Sequence, residues 1–449
     1  MPQNTVKNFF NPIIRPIAKP IEEFIKLEQA SSIILMLCTI ISLGVANSMF
    51  SSDYLQIWDT NIALRVGSFH LEKTVAHFID DFLMAIFFLL VGLEIKREVL
   101  EGQLSSFKKA LLPLLCAVGG MLFPALIFSL FNANSEYAKG WGIPTATDIA
   151  FSMAVISLLG NRVPLALKVF LIALAIADDL GAVIVIALFY TAHLDFNYLY
   201  MAAISLIILI GLNTAGIKQL VVYWIVGAFL WYFTLKSGIH ATISGVLFAF
   251  CVPFRTEYSK KSLLEMMEEG LEVVKTHLSS SDVKPRDITE ELEELANKTS
   301  SPSQVLENHL HGFVAYIIMP VFALCNTGFL IGGNIMEQLT TPISWGIMGG
   351  LVLGKPMGIF ITAFIAVKLK IASLPENVTW KHIFGAGMLA GIGFTMSIFI
   401  TLLAFPEHLA IQSSAKFSIL IASLISGIAG FLFLRFIASN TKTEINIEE

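Results

Sequence analysis

The reading of the fold turns on "ALAIADDLGAVIVIALFY", residues 173–190, which is apolar from end to end except for the adjacent carboxylates Asp178 and Asp179. A helix crosses the hydrocarbon core of a bilayer with about 20 apolar residues, and the run that holds this stretch extends over residues 165–190. Asp178 falls near its centre. The chain as a whole has the same character: of 449 residues 55% are hydrophobic and 14% charged, which is not the balance of a soluble domain. The sequence therefore predicts an all-α polytopic membrane protein. Helices are preferred over a barrel because the runs are continuously apolar, where barrel strands would alternate over about ten residues.

Twelve such stretches predict about 12 transmembrane helices, at 30–47, 75–95, 110–131, 141–160, 165–190, 198–212, 220–235, 237–254, 313–331, 343–367, 383–405 and 417–437. They divide the chain into an N-terminal segment 1–29, helices 1–8 within 30–254, an acidic loop insert 255–311, helices 9–12 within 312–437 and a tail 438–449. An even count puts both termini on one side. With that side cytoplasmic, the short inner segments hold sixteen Lys and Arg against five in the outer loops, the bias that insertion imposes. The N-terminal segment, the insert and the tail are all expected to be cytoplasmic. The first 29 residues lack an apolar core followed by a small-residue cleavage site, so the first span is expected to serve as its own insertion signal.

The insert is polar and Glu-rich, and Leu264, Met267, Leu271, Val274 and Leu278 recur at three- and four-residue steps. One amphipathic helix is expected there, acting as a solvated spacer or a partner-binding element. The first outer loop reads "NIALRVGSFHLEK", alternating apolar residues around Gly67 and Ser68, which predicts a β-hairpin near residues 61–73. Its free edges would let a second copy pair with it, giving a homodimer. Cys38, Cys116, Cys251 and Cys325 lie singly in or beside apolar runs with no metal-ligand spacing, and read as core filler. Membrane lipids are the other expected partners; no nucleic acid and no cofactor is implied.

Two spans carry breaks. The fourth, "GWGIPTATDIAFSMAV", and the eleventh, "GAGMLAGIGFTMSIFI", contain Gly, Pro or Thr where a helix should be regular. They are the central members of spans three to five and ten to twelve. Interrupted helices at matching places in two repeats mark a transporter's binding site; close packing through small residues is the competing explanation. Asp148 lies in the first break and Lys355 near the middle of the tenth span. Asp148, Asp178, Asp179 and Lys355 would each cost roughly 2.5–3.5 kcal/mol at a helix centre, about 10–14 kcal/mol together. A salt bridge that merely pins helices would explain Lys355 with one aspartate, but not three carboxylates against one lysine. Two crowded carboxylates in a small hydrated cavity gain by taking up protons or by binding a hard cation through oxygen. The Thr147 hydroxyl and carbonyls freed at the breaks would add ligands, Lys355 would neutralise Asp178 or Asp148, and Asp148 would offset the positive helix ends at the breaks. Alternating exposure of such a site couples proton and cation flow.

The motifs "GIPTATDIAFSMAVISLLGNRVPLALKVFLIALAIADDLGAVIVIALFYT", "FFLLVGLEIKRE", "LKSGIHATISGV", "GKPMGI" and "GIGFTMSIFI" resemble the NhaA family of bacterial Na+/H+ antiporters over nearly every span. The resemblance implies an NhaA-like fold with inverted repeats and crossed, discontinuous fourth and eleventh helices, in a bacterial inner membrane. It implies Asp178 and Asp179 as the carboxylates that bind the transported Na+ and protons, Thr147, Asp148 and Lys355 as supporting residues, and no catalytic residue. The implied activity is electrogenic export of Na+ or Li+ against external protons, activated at alkaline pH and serving pH and sodium homeostasis. pH sensing would fall to Glu94, Arg97, Glu98 and Glu307 at a cytoplasmic mouth. Asp81 and His240 also match family positions. The insert is longer than is usual in the family, and Gln304 and Asn308 replace a basic residue and a histidine that relatives often carry. Family members dimerise through an outer hairpin, in line with residues 61–73. Another proton-coupled secondary transporter or a cation channel are the rival classes. An intramembrane aspartyl protease would need its two aspartates on different helices, one in a Gly-x-Gly-Asp setting that "IADDLG" lacks.

Overall fold

The computed structural model describes residues 30–66, 69–191, 194–254, 301–330 and 339–445. The amphipathic helix expected at 264–278 and the Gly67–Ser68 turn lie outside them. The chain begins with α1 (Ala30–Ala46), α2 (Ser51–Asp59) and the hairpin β1 (Asn61–Val66) and β2 (Phe69–Thr74). There follow α3 (Val75–Phe78), a π-helical turn at Ile79–Leu83, α4 (Met84–Leu100) and α5 (Phe107–Asn132). A 3-10 helix (Glu136–Thr145) precedes α6 (Ile149–Ser157), α7 (Leu165–Phe189), α8 (Phe196–Thr214), α9 (Leu220–Lys236) and α10 (Thr242–Cys251). After the insert come α11 (Pro302–Phe313), a π-turn at Val314–Ile318 and α12 (Met319–Asn326). Last are α13 (Pro342–Gly349), a π-turn at Gly350–Gly354, α14 (Lys355–Lys368), α15 (Trp380–Ala390), α16 (Phe394–Ala404) and α17 (Leu409–Ile445). Every apolar stretch read from the sequence is met by helix.

Helix dominates because hydrocarbon offers backbone N–H and C=O groups no partner, so each span must bond to itself. Among the described residues, six helical runs are long and apolar enough to cross a membrane, or up to eight if two bent pairs each form one span. This is a multi-pass helical membrane protein. The number falls below twelve in part for local reasons: α9 has 17 residues and α10 only 10, and the fourth stretch is split by its break.

The chain forms two compact units. Asp81–Arg97 with Thr191–Val314 makes one, and Met1–Asp80, Glu98–Tyr190 and Ala315–Glu449 the other. In the smaller, the C-terminal end of α10 is held by a buried cation: Lys96 Nζ donates to the carbonyls of Phe250 at 2.9 Å and Val252 at 2.5 Å. That places positive charge on carbonyls the helix leaves unbonded. In the larger unit, α5 and α14 pack almost backbone to backbone, because a Cβ on Gly358 would stand 2.2 Å from the Gly119 carbonyl oxygen. The hairpin pairs antiparallel from Asn61 with Thr74 to Val66 with Phe69.

Gly358→Ala should therefore push α14 off α5 and cost about 1–3 kcal/mol, read as a lower melting temperature in detergent. Gly211→Ala on α8, where a Cβ meets nothing within 4 Å, should show no such loss.

Candidate ion-binding site at two helix breaks

Gly140, Gly142 and Pro144 keep the fourth stretch from forming regular α-helix, and it runs as a 3-10 helix to Thr145. Residues 146–148 are not helical, Ala146 and Asp148 having extended dihedrals, and α6 restarts at Ile149. In the eleventh stretch α15 ends at Ala390 and α16 begins at Phe394, their axes bent by 48° across Gly391–Gly393. Each break strands amide donors at a helix start and carbonyls at a helix end. Each break satisfies the other's groups. Thr147 Oγ1 donates to the Ala390 carbonyl at 2.8 Å, the Asp148 amide to Ile392 at 2.7 Å, Ser152 Oγ to Leu389 at 2.9 Å and Ser397 Oγ to Ile143 at 2.8 Å.

Asp148 caps two helices at once. Its Oδ1 accepts from the Phe151 amide of α6 at 3.1 Å, while Oδ2 accepts from the Thr395 amide of α16 at 3.1 Å and from the Thr395 hydroxyl. One negative charge thus offsets the positive ends of both half-helices. The carbonyls that the sequence suggested as cation ligands are in part already used: Ala390 and Ile392 accept from Thr147 and Asp148.

The charged side chains are drawn out of solvent, with exposures of 2% for Asp148, 3% for Asp178, 2% for Asp179 and 1% for Lys355. Asp178 and Asp179 stand midway along α7. The π-turn at Gly350–Gly354 immediately precedes Lys355, and such turns re-aim the side chains that follow. The sequence left open which carboxylate this lysine meets. It is Asp178: the Lys355 ammonium donates to Asp178 Oδ2 as a direct ion pair. Thr147 Oγ1 lies 2.7 Å from the same oxygen. Asp178 Oδ1 is buried and has no hydrogen-bond partner among the described residues. Having one proton, the Thr147 hydroxyl can donate to the Asp178 carboxylate or to the Ala390 carbonyl, not fully to both.

The residues suggested for a cytoplasmic mouth are Glu94, Arg97, Glu98 and Glu307. Arg97 Nη1 pairs with Glu307 Oε1 at 2.6 Å, and Glu98 Oε2 accepts the Gln103 amide at 2.8 Å, closing a 3-10 turn. Glu94 is half-buried on α4. Sequence reading missed Thr395, Ser152 and Ser397; their position beside the breaks was the available signal, since freed backbone groups need nearby hydroxyls.

Discontinuous helices that bond to each other around buried ionisable groups define a secondary transporter. A model of the family described as Na+/H+ antiporter 1 matches residues 22–434. A protein of Sulfurimonas denitrificans named Na(+)/H(+) antiporter NhaA is 44% identical over 429 residues, 94% of this chain and 97% of its own. A namesake from Helicobacter pylori (strain HPAG1) is 46% identical over 416 residues, covering 92% and 94%. One from Oleidesulfovibrio alaskensis is 44% identical over 439 residues, covering 96% and 97%. The chain belongs to the NhaA family of Na+/H+ antiporters.

Two stability effects follow from the geometry. Lys355→Ala leaves the Asp178 charge buried alone and should cost about 3–5 kcal/mol; adding Asp178→Asn should recover most of it, a coupling that a double-mutant cycle of thermal melts would reveal. Asp148→Ala strands the Phe151 and Thr395 amides and should cost at least about 2 kcal/mol, with Asp148→Asn, which keeps one acceptor, falling between.

Proposed function

We propose that the chain exports Na+ or Li+ from the cytoplasm in exchange for external protons, and that Asp178 and Asp179 carry the two ions in turn. The observation that carries this reading is the condition of Asp178. One oxygen is held by a tethered ammonium and a hydroxyl, and the other is buried with nothing bonded to it. A buried, unbonded carboxylate oxygen is costly, and either a proton or a hard monovalent cation relieves it. Na+, H+ and the Lys355 ammonium compete for one charge, and exposing that charge to each side in turn converts competition into exchange.

Thr147 ties this chemistry to the helix break. With Asp178 ionised, its hydroxyl proton is best placed on Oδ2. With Asp178 protonated, the carboxyl can donate to Thr147, freeing the hydroxyl for the Ala390 carbonyl at the end of α15. The state of the carboxylate thereby changes a bond that holds the two breaks together, and Asp148 keeps both half-helices capped meanwhile. A second carboxylate at Asp179 allows more than one proton per cation, hence electrogenic exchange.

The membrane arrangement belongs to the same proposal: twelve spans in inverted repeats with helices four and eleven crossed, both termini cytoplasmic, in a bacterial inner membrane. The distribution of Lys and Arg supports the orientation. Among the described residues the hairpin is a sheet of two strands, and the outer edges of such a hairpin support a homodimer through residues 61–73. The Arg97–Glu307 pair, beside Glu94 and Glu98 in sequence, supports pH control at the cytoplasmic mouth. Such exchange would serve sodium and pH homeostasis and salt tolerance.

Everted membrane vesicles with a preformed pH gradient, reported by a quenched dye, test this. Na+ or Li+ should collapse the gradient and K+ should not, with Asp178→Asn and Asp179→Asn abolishing the response. Na+ movement uncoupled from protons would mark a channel and overturn the reading, and wild-type response in either variant would overturn the site.

A further inference from the structure

Lys416 counts among the outer-loop charges when the last span is drawn from residue 417, yet it lies within α17, 8% exposed. An ammonium carries three N–H donors. Among the described residues Lys416 makes no hydrogen bond and no ion pair. What lies within Coulombic reach of it is Asp80 first, then the Cys325 thiol. Asp80 is in the π-turn Ile79–Leu83, and its Oδ1 accepts from Asn326 Nδ2 at 2.8 Å. Asn326 ends α12 and is 4% exposed. These residues belong to the same compact unit as Asp178 and Lys355.

The two clusters share a composition. Each sets a carboxylate beside a buried lysine and a neutral side chain that donates to the carboxylate, namely Asp178, Lys355 and Thr147 in the first, where Asp179 adds a second carboxylate, and Asp80, Lys416 and Asn326 in the second. A π-turn sits next to the lysine in one and holds the carboxylate in the other. They differ in closure. Lys355 bonds to its carboxylate directly, whereas Lys416 stands off. A buried bridge that only stabilises needs direct contact and satisfied hydrogen bonds to offset desolvation, and Lys416 has neither. Its donors call for water, and water at Lys416 would bring protons and small cations within reach of Asp80.

We propose that Asp80, Asn326 and Lys416 form a second station for the same monovalent cations and protons, between the Asp178 site and the outer face, with Lys416 playing the part of Lys355. The placement rests on the proposed function and its orientation, in which the hairpin, the end of α12 and the start of α17 all face outward. Asp80 would hold an ion that has left Asp178, and Lys416 would displace it.

The test measures Na+ half-saturation of exchange on each face, using right-side-out vesicles for the outer face and everted vesicles for the cytoplasmic one. Asp80→Asn should raise the outer value about tenfold, the loss of one charge-assisted contact, and leave the inner value within about twofold. Lys416→Met, which removes the competing cation, should lower the outer value. Asp80→Glu should stay close to wild type. Should Asp80→Asn fail to accumulate in the membrane, Asn326→Leu carries the same expectation at about threefold. Equal shifts on both faces, or none on either, would overturn the second station. Absence of exchange in the wild-type protein would instead overturn the proposed function.

Discussion

A helix broken inside a membrane exposes backbone groups where no water can reach them, and the larger unit is organised around meeting that need. The breaks after Thr145 and after Ala390 are placed so that hydroxyls and amides of one segment bond to carbonyls of the other. Asp148 completes the exchange by capping α6 and α16 together. Neither break could stand in hydrocarbon alone. The pair can, and the cost of a buried carboxylate at Asp148 is offset by three donors' worth of contact that would otherwise be unmade.

This solution fixes what lies beside it. Thr147 is held at the Ala390 carbonyl and so delivers its hydroxyl to Asp178; the glycine contact between α5 and α14 and the π-turn at Gly350–Gly354 bring Lys355 to the same oxygen. Three buried lysines show three ways to accommodate an ammonium in such a fold. Lys96 serves as a helix cap on carbonyls, Lys355 closes on a carboxylate, and Lys416 is held within reach of Asp80 without closing. Only the first is fully explained by local backbone need. The second leaves one carboxylate oxygen open, which is where exchange chemistry enters.

Much of this could be read from the chain. Continuous apolar runs located the helices, and Gly140, Gly142, Pro144, Gly391 and Gly393 located the breaks, because these residue types act on their own backbone. The suggestion that Asp148 offsets two helix ends follows from charge next to a break. Span edges and contacts across long sequence distances are not encoded in this way. Lys416 passed for a loop residue because a charge lowers window hydropathy and moves the apparent span boundary to residue 417, although the helix begins at Leu409. The partner of Arg97 is Glu307, 210 positions away, a separation that no local pattern encodes. Glu98, grouped with them by sequence, accepts the Gln103 amide.

What the sequence determined by itself was the solvent this protein lives in, the helical form that follows from it, the location of the breaks and the presence of more buried carboxylate than one lysine can neutralise. Its motifs also pointed to the family. What only the tertiary structure decided was pairing: Lys355 with Asp178 rather than Asp148, Asp148 with two helix starts, Thr395 and Ser152 with backbone groups of the other break, Lys416 opposite Asp80. The reason is that depth and helix propensity depend on neighbours in the chain, whereas an ion pair or a hydrogen bond depends on neighbours in space. Those are set when helices far apart in sequence pack together and leave each buried polar atom a small set of partners.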